Sequence, residues 1–238
     1  MAEHRPKLCL LTANFQNPLG YVLSDVDKQK IAQLAAQYHC IILEDDIYAE
    51  CSYQGQRPLP IKYWDQHGYV VWVGSVSKSL STAYRVGWFC IGGQLKAMYP
   101  EFYSANISVN TPLQLGLADF IYSREYRNHL SRLQPQLMQQ VEQYRRYILK
   151  AFAPLNIGLS QPQGGYALWL ELPQKIDSLA LYLAAQQHQI NIVPGVVFGE
   201  DERYQHFVRL NAGHALTPQL QEAILFLAEW VKQAVDGY

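Results

Sequence analysis

The stretch GSVSKSLSTAYRVGW places an amine, several hydroxyl groups and a second cation close together. Lys78 is flanked by Ser75, Ser77 and Ser79, and Arg85 follows seven positions later. An amine whose charge is disfavoured by burial and by a neighbouring cation is a good nucleophile for a Schiff base. Hydroxyl groups and a guanidinium also bind anions such as phosphate. The stretch therefore predicts a covalent attachment point beside an anion site, although a lone lysine is usually a surface residue.

Two further polar clusters carry groups that could complete such a site. In EDDIY, residues 44–48, the Asp45 carboxylate could keep a pyridine nitrogen protonated and so stabilise an electron sink. Tyr48 and, in NFQNPLG, Asn17 could donate hydrogen bonds to a ring oxygen. Alone, the Asn-Pro-x-Gly sequence is an ordinary turn signal, and an acidic pair after a strand is often a helix cap.

The elements that must position these clusters alternate between strand and helix. An apolar strand is predicted before each cluster, and a helix is predicted from Ser24 to about Tyr38, with Asp25 and Asp27 in its first turn. The predicted strands are residues 7–12, 40–43, 69–73 and 86–91. Because these strands are apolar throughout, we expect a mostly parallel sheet that is covered on both faces. Ligands bind at the carboxyl ends of such strands, where all three clusters lie.

The second part of the chain has an α+β pattern. Residues 112–152 are predicted to be helical, with a break at 122–124, a possible kink at Pro135 and an end before Pro154. Strands are predicted at residues 166–172, 190–193 and 207–210, and helices at 178–187 and 217–235. We therefore predict two domains, residues 1–130 and 131–238, with the boundary inside the long helix.

Composition excludes several classes of function. The 238 residues carry a net charge of −1, which gives no general attraction to nucleic acid. The four cysteines form no C-x-x-C pair, and the seven histidines follow no metal-ligand spacing, so we expect no metal. The polar start lacks a signal peptide, and no apolar stretch is long enough for a membrane span. We expect a cytoplasmic protein with reduced cysteines.

Together these motifs resemble one enzyme family. The matching stretches are NFQNPLG, EDDIY, SVSK, RVGW and FVRLNAG, in residues 14–20, 44–48, 75–78, 85–88 and 207–213. The chain resembles the fold-type I pyridoxal-phosphate (PLP) aminotransferases of class I/II over essentially its whole length. Within them it looks most similar to the aminotransferase-like domain of MocR/GntR-type transcriptional regulators.

The resemblance implies a role for each matched residue. Lys78 would form the Schiff base with PLP and then move protons. Asp45, three positions before the tyrosine, would pair with the pyridine nitrogen, and Tyr48 and Asn17 would bind the ring oxygen. The phosphate would be held by Ser75, Arg85 and more weakly Ser77. Arg209 would receive the carboxylate of an amino-acid substrate.

The resemblance also implies a fold with a part left out. The expected class is α/β, a truncated fold-type I PLP-binding large domain (1–130) followed by a C-terminal small domain (131–238). The family's first part of the large domain, with its glycine-rich phosphate loop and its ring-stacking aromatic residue, has no counterpart here. The family forms homodimers with sites at the subunit interface, so a homodimer is expected.

Three functions remain open from the sequence. The chain could be an enzyme that transfers an amino group between an amino acid and a 2-oxo acid. It could instead be the PLP- or effector-sensing domain of a transcriptional regulator whose DNA-binding domain lies upstream. It could also be an inactive fragment of either.

Overall fold

The computed structural model describes residues 1, 3–105, 110–199 and 202–237. The chain divides into two compact units, one of Met1–Gln16 and Tyr21–Pro135, the other of Asn17–Gly20 and Gln136–Tyr238. Its helices are α1 Asp25–Tyr38, α2 Tyr99–Ala105, α3 Thr111–Tyr122, α4 Arg124–Ala151, α5 Ser178–Gln187 and α6 Pro218–Asp236. Its strands are β1 Leu8–Leu11, β2 Ile41–Asp45, β3 Val70–Ser75, β4 Gly87–Cys90, β5 Gly158–Leu159, β6 Ala167–Glu171, β7 Val193–Pro194 and β8 Phe207–Asn211.

The first unit contains a four-stranded sheet in the order β1-β2-β3-β4. The strands β1, β2 and β3 are parallel, and β4 pairs antiparallel with β3. Each strand predicted in this part of the chain is present. The expectation of an α/β fold with a mostly parallel sheet is confirmed.

Helix α1 begins where its sequence predicts and covers one face of this sheet. The Ser24 hydroxyl accepts a hydrogen bond from the backbone N–H of Asp27 at 3.1 Å, which satisfies one of the free donors of the first turn. Ala32 and Ala35 of the helix pack with Ile42 and Val70 of the sheet in a buried apolar cluster. This face therefore has its own core.

The opposite face of the same sheet is uncovered in the described chain. Leu8 and Leu10 of β1 are 57% and 67% exposed, and Phe89 of β4 is 43% exposed. The pairing register places Leu10 beside Leu43, on the face opposite Ile42. The prediction that both faces would be covered is therefore wrong for this chain. An apolar strand indicates that its face is suited to burial. Whether that face is buried depends on residues elsewhere.

The second unit contains an antiparallel sheet in the order β5-β6-β8-β7, and it matches the α+β pattern. Leu168 and Leu170 of β6 and Val208 of β8 are buried on one face. On the other face, the Trp169 ring stacks on Phe207 with centroids 5.2 Å apart. This sheet has packed residues on both faces.

The edge strand β7 is shorter and later than predicted. Strand pairing covers only Val193 and Pro194, instead of residues 190–193. The backbone N–H of Ile190 donates to the Ala185 carbonyl at 3.0 Å, at the end of α5. Since that donor closes the helix, it cannot join the sheet.

The long helical stretch breaks at the predicted place. Helix α3 ends at Tyr122, its C-cap residue is Ser123, and α4 begins at Arg124. Pro135 lies inside α4, which ends at Ala151. Among the described residues, none of these helices combines the length and apolarity that a bilayer crossing requires.

Candidate functional site

Lys78 lies in a tight turn directly after β3, at the carboxyl end of that parallel strand. The backbone N–H of Leu80 donates to the Val76 carbonyl at 2.8 Å, which closes the turn. The Lys78 amine lies 5.4 Å from the centroid of the Tyr48 ring. Among the described residues, no carboxylate pairs with this half-buried amine. The structure thus brings together Lys78 and Tyr48, two residues separated by 30 positions in the sequence.

Two residues that are distant in the sequence contact the turn that contains Lys78 and hold it in place. The His129 Nε2 atom lies 2.6 Å from the Ser79 carbonyl oxygen, and donates to it. The Tyr126 hydroxyl lies 3.2 Å from the Ser79 hydroxyl. No local sequence signal pointed to Tyr126 or His129, because they lie 47 and 50 positions from Ser79, on α4. Their contacts fix the backbone next to Lys78 and so restrict where its amine can reach.

A buried thiol contacts the same turn from the other side. The Cys51 Sγ atom lies 3.6 Å from the Lys78 carbonyl oxygen. Burial raises the pKa of Cys51 to about 12, so the thiol stays neutral at ordinary pH. Cys51 therefore contributes packing and a weak hydrogen bond to the turn that contains Lys78.

The side chains that are candidates for binding phosphate lie before and after a sharp bend in the chain at the end of β3. The Ser75 hydroxyl lies 2.8 Å from the Ser77 hydroxyl, and the Ser77 N–H donates to the Ser75 oxygen at 3.0 Å. Arg85 is exposed and has a left-handed backbone, with φ of 52°. Next to Ser75, Gly74 lets the Trp88 indole approach, because a Cβ there would lie 2.4 Å from the indole nitrogen. The two hydroxyl groups thus form a pair, and Arg85 remains open to solvent.

The two aspartates of EDDIY have opposite environments. Asp46 is 3% exposed, and its carboxylate accepts hydrogen bonds from Asn14 and Trp72, each at 2.8 Å, and pairs with Arg57. Burial raises the pKa of Asp46, and the Arg57 guanidinium, Trp72 and Asn14 oppose that shift. Asp46 is therefore a buried structural acid whose carboxylate already serves three donors within its own unit.

Asp45 lies at the end of β2 and is only half-buried. Its carboxylate accepts one hydrogen bond, from the Ile47 N–H at 3.2 Å. Asp45 pairs in register with Val73, so Asp45 and Ser75 project from the same face of the sheet. That face is the one that leaves Leu10 exposed. The structure therefore gives Asp45, and not Asp46, a free carboxylate edge beside the serine pair.

A third acid, Glu44, is buried on the face that α1 covers. It is 0% exposed and accepts hydrogen bonds from the backbone N–H groups of Ile61 and Lys62, at 2.7 and 2.9 Å. Burial raises the pKa of Glu44 to about 7 in spite of those two bonds. Its role is to tie the chain after residue 60 to the sheet.

Asn17 and Arg209 lie in the second unit, and they contact each other. The Arg209 Nη1 atom donates to the Asn17 side-chain oxygen at 3.4 Å, which leaves the Asn17 amide nitrogen as a donor for another group. The Arg209 guanidinium lies 5.7 Å from the Phe198 ring centroid and pairs with no carboxylate among the described residues. The NPLG turn ends in Gly20, whose φ is +75° and where a Cβ would lie 2.6 Å from Pro162.

The candidate residues thus form two groups by unit. Asp45, Tyr48, Ser75, Ser77, Lys78 and Arg85 belong to the first unit, and Asn17 and Arg209 belong to the second. Within the described ranges, no group of three or more histidine, cysteine, aspartate or glutamate side chains could hold a metal ion.

Comparison with known families shows which family the chain belongs to. Residues 2–225 match the model of the family described as aminotransferase class I and II. The chain belongs to this family, which confirms the resemblance that its sequence indicated. The roles of the individual site residues stay predictions.

The similar proteins include both regulators and enzymes. The chain is 33% identical over 98% of its length to YdcR of Escherichia coli, an uncharacterized HTH-type transcriptional regulator, and covers 50% of that protein. It is 29% identical to aromatic-amino-acid aminotransferase 1 of Thermococcus litoralis, over 95% of this chain and 54% of that one. The chain therefore spans about half the length of these relatives.

Solved aminotransferase structures share its fold. The multiple substrate aminotransferase from Thermococcus profundus superposes with a TM-score of 0.82 at 26% identity, over 98% of this chain and 58% of that one. The Pyrococcus horikoshii kynurenine aminotransferase, solved in complex with PMP, gives a TM-score of 0.81 at 26% identity, over 96% and 57%. The chain therefore has the fold-type I architecture and spans just over half the length of these solved chains.

Proposed function

We propose that this chain is the PLP-binding part of an aminotransferase-like protein that transfers an amino group between an amino acid and a 2-oxo acid. One observation carries the proposal. Lys78 presents an amine without a carboxylate partner at the end of a parallel strand, beside the Ser75–Ser77 hydroxyl pair and the Tyr48 ring. A cytoplasmic homodimer, with residues 1–130 as a partial large domain and 131–238 as the small domain, completes the proposal.

The residues present fit a phosphorylated pyridine ring. The free carboxylate edge of Asp45 suits a ring nitrogen, and the Tyr48 phenol suits a ring oxygen. Asn17 suits the same oxygen, because its amide nitrogen remains a donor while its oxygen accepts from Arg209. The Ser75 and Ser77 hydroxyls, with the exposed guanidinium of Arg85, are suited to a phosphate. When bound, PLP supplies an electron sink for bond breaking at the amino-acid Cα.

Each side chain then has one task in the reaction. Lys78 would be the attachment point of the cofactor, and its amine, when free, would take and return the proton of the substrate Cα. The Asp45 carboxylate would keep the ring nitrogen protonated, which would favour loss of the Cα proton. Arg209 binds the substrate carboxylate, since its guanidinium has no acidic partner in the described chain and can make a bidentate pair. His129 and Tyr126 position Lys78 through Ser79.

The experiment that tests the proposal follows the covalent bond at Lys78. PLP is added to the whole chain, absorbance is recorded, and borohydride treatment is followed by peptide mass mapping. We expect a new visible band and a label on Lys78. Lys78→Ala should lose both, whereas Lys30→Ala, which changes an exposed lysine of α1, should keep both. An undiminished band in Lys78→Ala would refute the assignment.

A second candidate, a sensor domain of a transcriptional regulator, is favoured by the similarity to HTH-type regulators. YdcR and YjiR of Escherichia coli are 33% and 30% identical to the chain over 98% and 95% of its length. A sensor would bind PLP and an amino acid but would not convert it. Transfer of ¹⁵N from a labelled amino acid to a 2-oxo acid separates the two: transfer supports the enzyme, and binding without transfer supports the sensor. A chain that binds no PLP would be an inactive fragment.

A further inference from the structure

Arg57 bridges two acids that lie on either side of Tyr48 in the sequence. Its guanidinium pairs with the buried Asp46 carboxylate through Nη2, and its Nε atom lies 2.9 Å from the Glu50 carboxylate. Asp46 and Glu50 are four positions apart, and Tyr48 lies midway between them. The guanidinium also lies over the Trp72 ring of β3, 5.2 Å from its centroid. One side chain thus contacts both ends of a short segment and the sheet beside it.

The segment that Arg57 bridges is a tight turn. The backbone N–H of Ala49 donates to the Asp46 carbonyl at 3.2 Å, and the N–H of Cys51 donates to the Tyr48 carbonyl at 2.8 Å. Residues four positions apart along such a helical turn lie on the same side of it, which is why two side chains of the segment reach one guanidinium.

The two acids of this turn depend on the cation between them. Burial raises the pKa of both Asp46 and Glu50, and the Asp46 charge raises the pKa of Glu50 further. The Arg57 charge opposes the shift at both acids. Without that charge the two carboxylates would repel each other, so Arg57 stabilises the closed form of the turn.

The same turn makes two contacts with the turn that contains Lys78. The Tyr48 ring is 8% exposed, and the Lys78 amine lies over it, 5.4 Å from the ring centroid. The Cys51 Sγ atom lies 3.6 Å from the Lys78 carbonyl oxygen. The position of the Tyr48 phenol relative to the Lys78 amine therefore depends on the shape of the bridged turn.

From these contacts we infer that Arg57 is a positioning residue of the candidate site: by bridging Asp46 and Glu50, it holds the Tyr48 ring against the Lys78 amine. Its importance for chemistry rests on the proposed function, in which Tyr48 binds the ring oxygen of the cofactor and Lys78 attaches the cofactor. The geometric effect does not require the cofactor and is measured first without it.

The first test follows the Lys78 amine over the Tyr48 ring in the whole chain without cofactor. The lysines are reductively methylated with ¹³C-formaldehyde, and the methyl signals are recorded by NMR, in which protons held over an aromatic ring are shifted upfield. We expect one such shifted signal from Lys78. Lys78→Arg identifies it by its loss, and Tyr48→Leu should abolish the shift.

Variants of the bridge should then move this signal. Glu50→Leu opens the bridge on one side and leaves Asp46 paired, so the upfield shift should be lost, whereas Glu50→Gln keeps an oxygen for the Arg57 Nε atom and should retain it. Arg57→Lys keeps a cation beside Asp46 but cannot span both acids, and should also lose the shift. The matched control is Arg145→Lys in the second unit, where the arginine pairs with Glu142 at 3.1 Å. It should leave the Lys78 signal unchanged.

A second measurement adds PLP and separates this inference from the proposed function. The label on Lys78 after borohydride treatment is measured at increasing PLP concentration. Glu50→Leu should need about three- to tenfold more PLP for half-labelling, the equivalent of one lost hydrogen bond. A chain that gives the expected NMR pattern but is never labelled supports the inference and refutes the proposed function.

Circular dichroism checks that each variant is folded, and if Arg57→Lys does not fold, Glu50→Leu decides the outcome. The inference is overturned if the Lys78 signal of the unaltered chain is not shifted upfield, or if that signal keeps its position in folded Glu50→Leu. It is also overturned if Glu50→Gln or Arg145→Lys loses the shift, or if Glu50→Leu is labelled as readily as the unaltered chain.

Discussion

The two four-stranded sheets of this protein differ in how completely the chain packs them. The sheet of the second unit has buried aliphatic residues on one face and stacked aromatic rings on the other. The sheet of the first unit has a covered face and a face where Leu8 and Leu10 are exposed. The candidate cofactor residues Asp45 and Ser75 project from that exposed face. Two of the candidate cofactor residues therefore lie on the face with the fewest packing constraints.

The largest expected effect is a difference in stability between two variants, one on each face of the first sheet. Asp46→Ala leaves Arg57 and the Trp72 indole without their buried acceptor, and should lower the free energy of unfolding by about 3–5 kcal/mol. Asp45→Ala removes one half-exposed hydrogen bond and should cost less than about 1 kcal/mol. Urea unfolding followed by circular dichroism measures both.

The same pair of variants should give the reverse order in activity. Under the proposed function, Asp45→Ala loses amino-group transfer although it remains folded. Full transfer activity in Asp45→Ala would remove Asp45 from the site. Equal stability losses in the two variants would mean that the two faces do not differ as the structure indicates.

A matched pair of leucines compares the two sheets directly. Leu168→Ala in the second sheet removes a side chain that is 0% exposed and should cost about 3 kcal/mol. Leu10→Ala removes one that is 67% exposed and should cost under about 0.5 kcal/mol. The check is urea unfolding of the two variants side by side. If Leu10→Ala were as costly as Leu168→Ala, the exposed face would be covered in solution.

The raised pKa of Glu44, on the face that α1 covers, predicts that the stability of the fold depends on pH. Its pKa in the folded chain is about 7, above the ordinary value of 4.5, so the folded state favours the protonated acid. This contribution is fully present below about pH 4.5 and is lost as pH rises toward 7. Between pH 5 and 8, we expect stability to fall by about 2–3 kcal/mol from this group. Glu44→Gln, which cannot ionise, should flatten the curve, and an unchanged slope in that variant would contradict the assignment.

The smallest expected effect lies in the second unit, at Tyr144. Because the buried hydroxyl has no partner, Tyr144→Phe should leave the melting temperature unchanged or raise it slightly, by less than about 1 kcal/mol in stability. Thermal unfolding of the unliganded chain provides the measurement. A clear destabilisation would show that the hydroxyl already has a partner, such as an ordered water.

Local signals predicted elements wherever the residues of one segment decide the outcome. Ser24 with Asp27 begins α1, and α5 occupies the predicted residues 178–187, because capping and helical periodicity act within a few positions. The position of β7 was wrong because the Ile190 N–H has two possible partners, and the end of α5 takes it. Competition for one donor is not visible in a periodic pattern.

The candidate site was also only partly predictable. Motif order nominated Lys78, Asp45 and the serines as candidates, since their types and spacing already limit the chemistry, and their roles stay predictions. The contacts of Ser79 with Tyr126 and His129, and the burial of the Tyr144 hydroxyl without a partner, had no sequence signal. These join residues from separate elements, and only the packed chain brings them together.

By itself the sequence determined the family, most of the strands and helices, and a candidate set of side chains for a cofactor site. Only the tertiary structure decided which aspartate has a free carboxylate oxygen, which face of the first sheet lacks cover in the described chain, and which buried tyrosine hydroxyl lacks a hydrogen-bond partner. The physical reason is the range of the forces. Backbone preferences and residue chemistry act along neighbouring positions, whereas burial and hydrogen-bond competition depend on residues that meet only after folding.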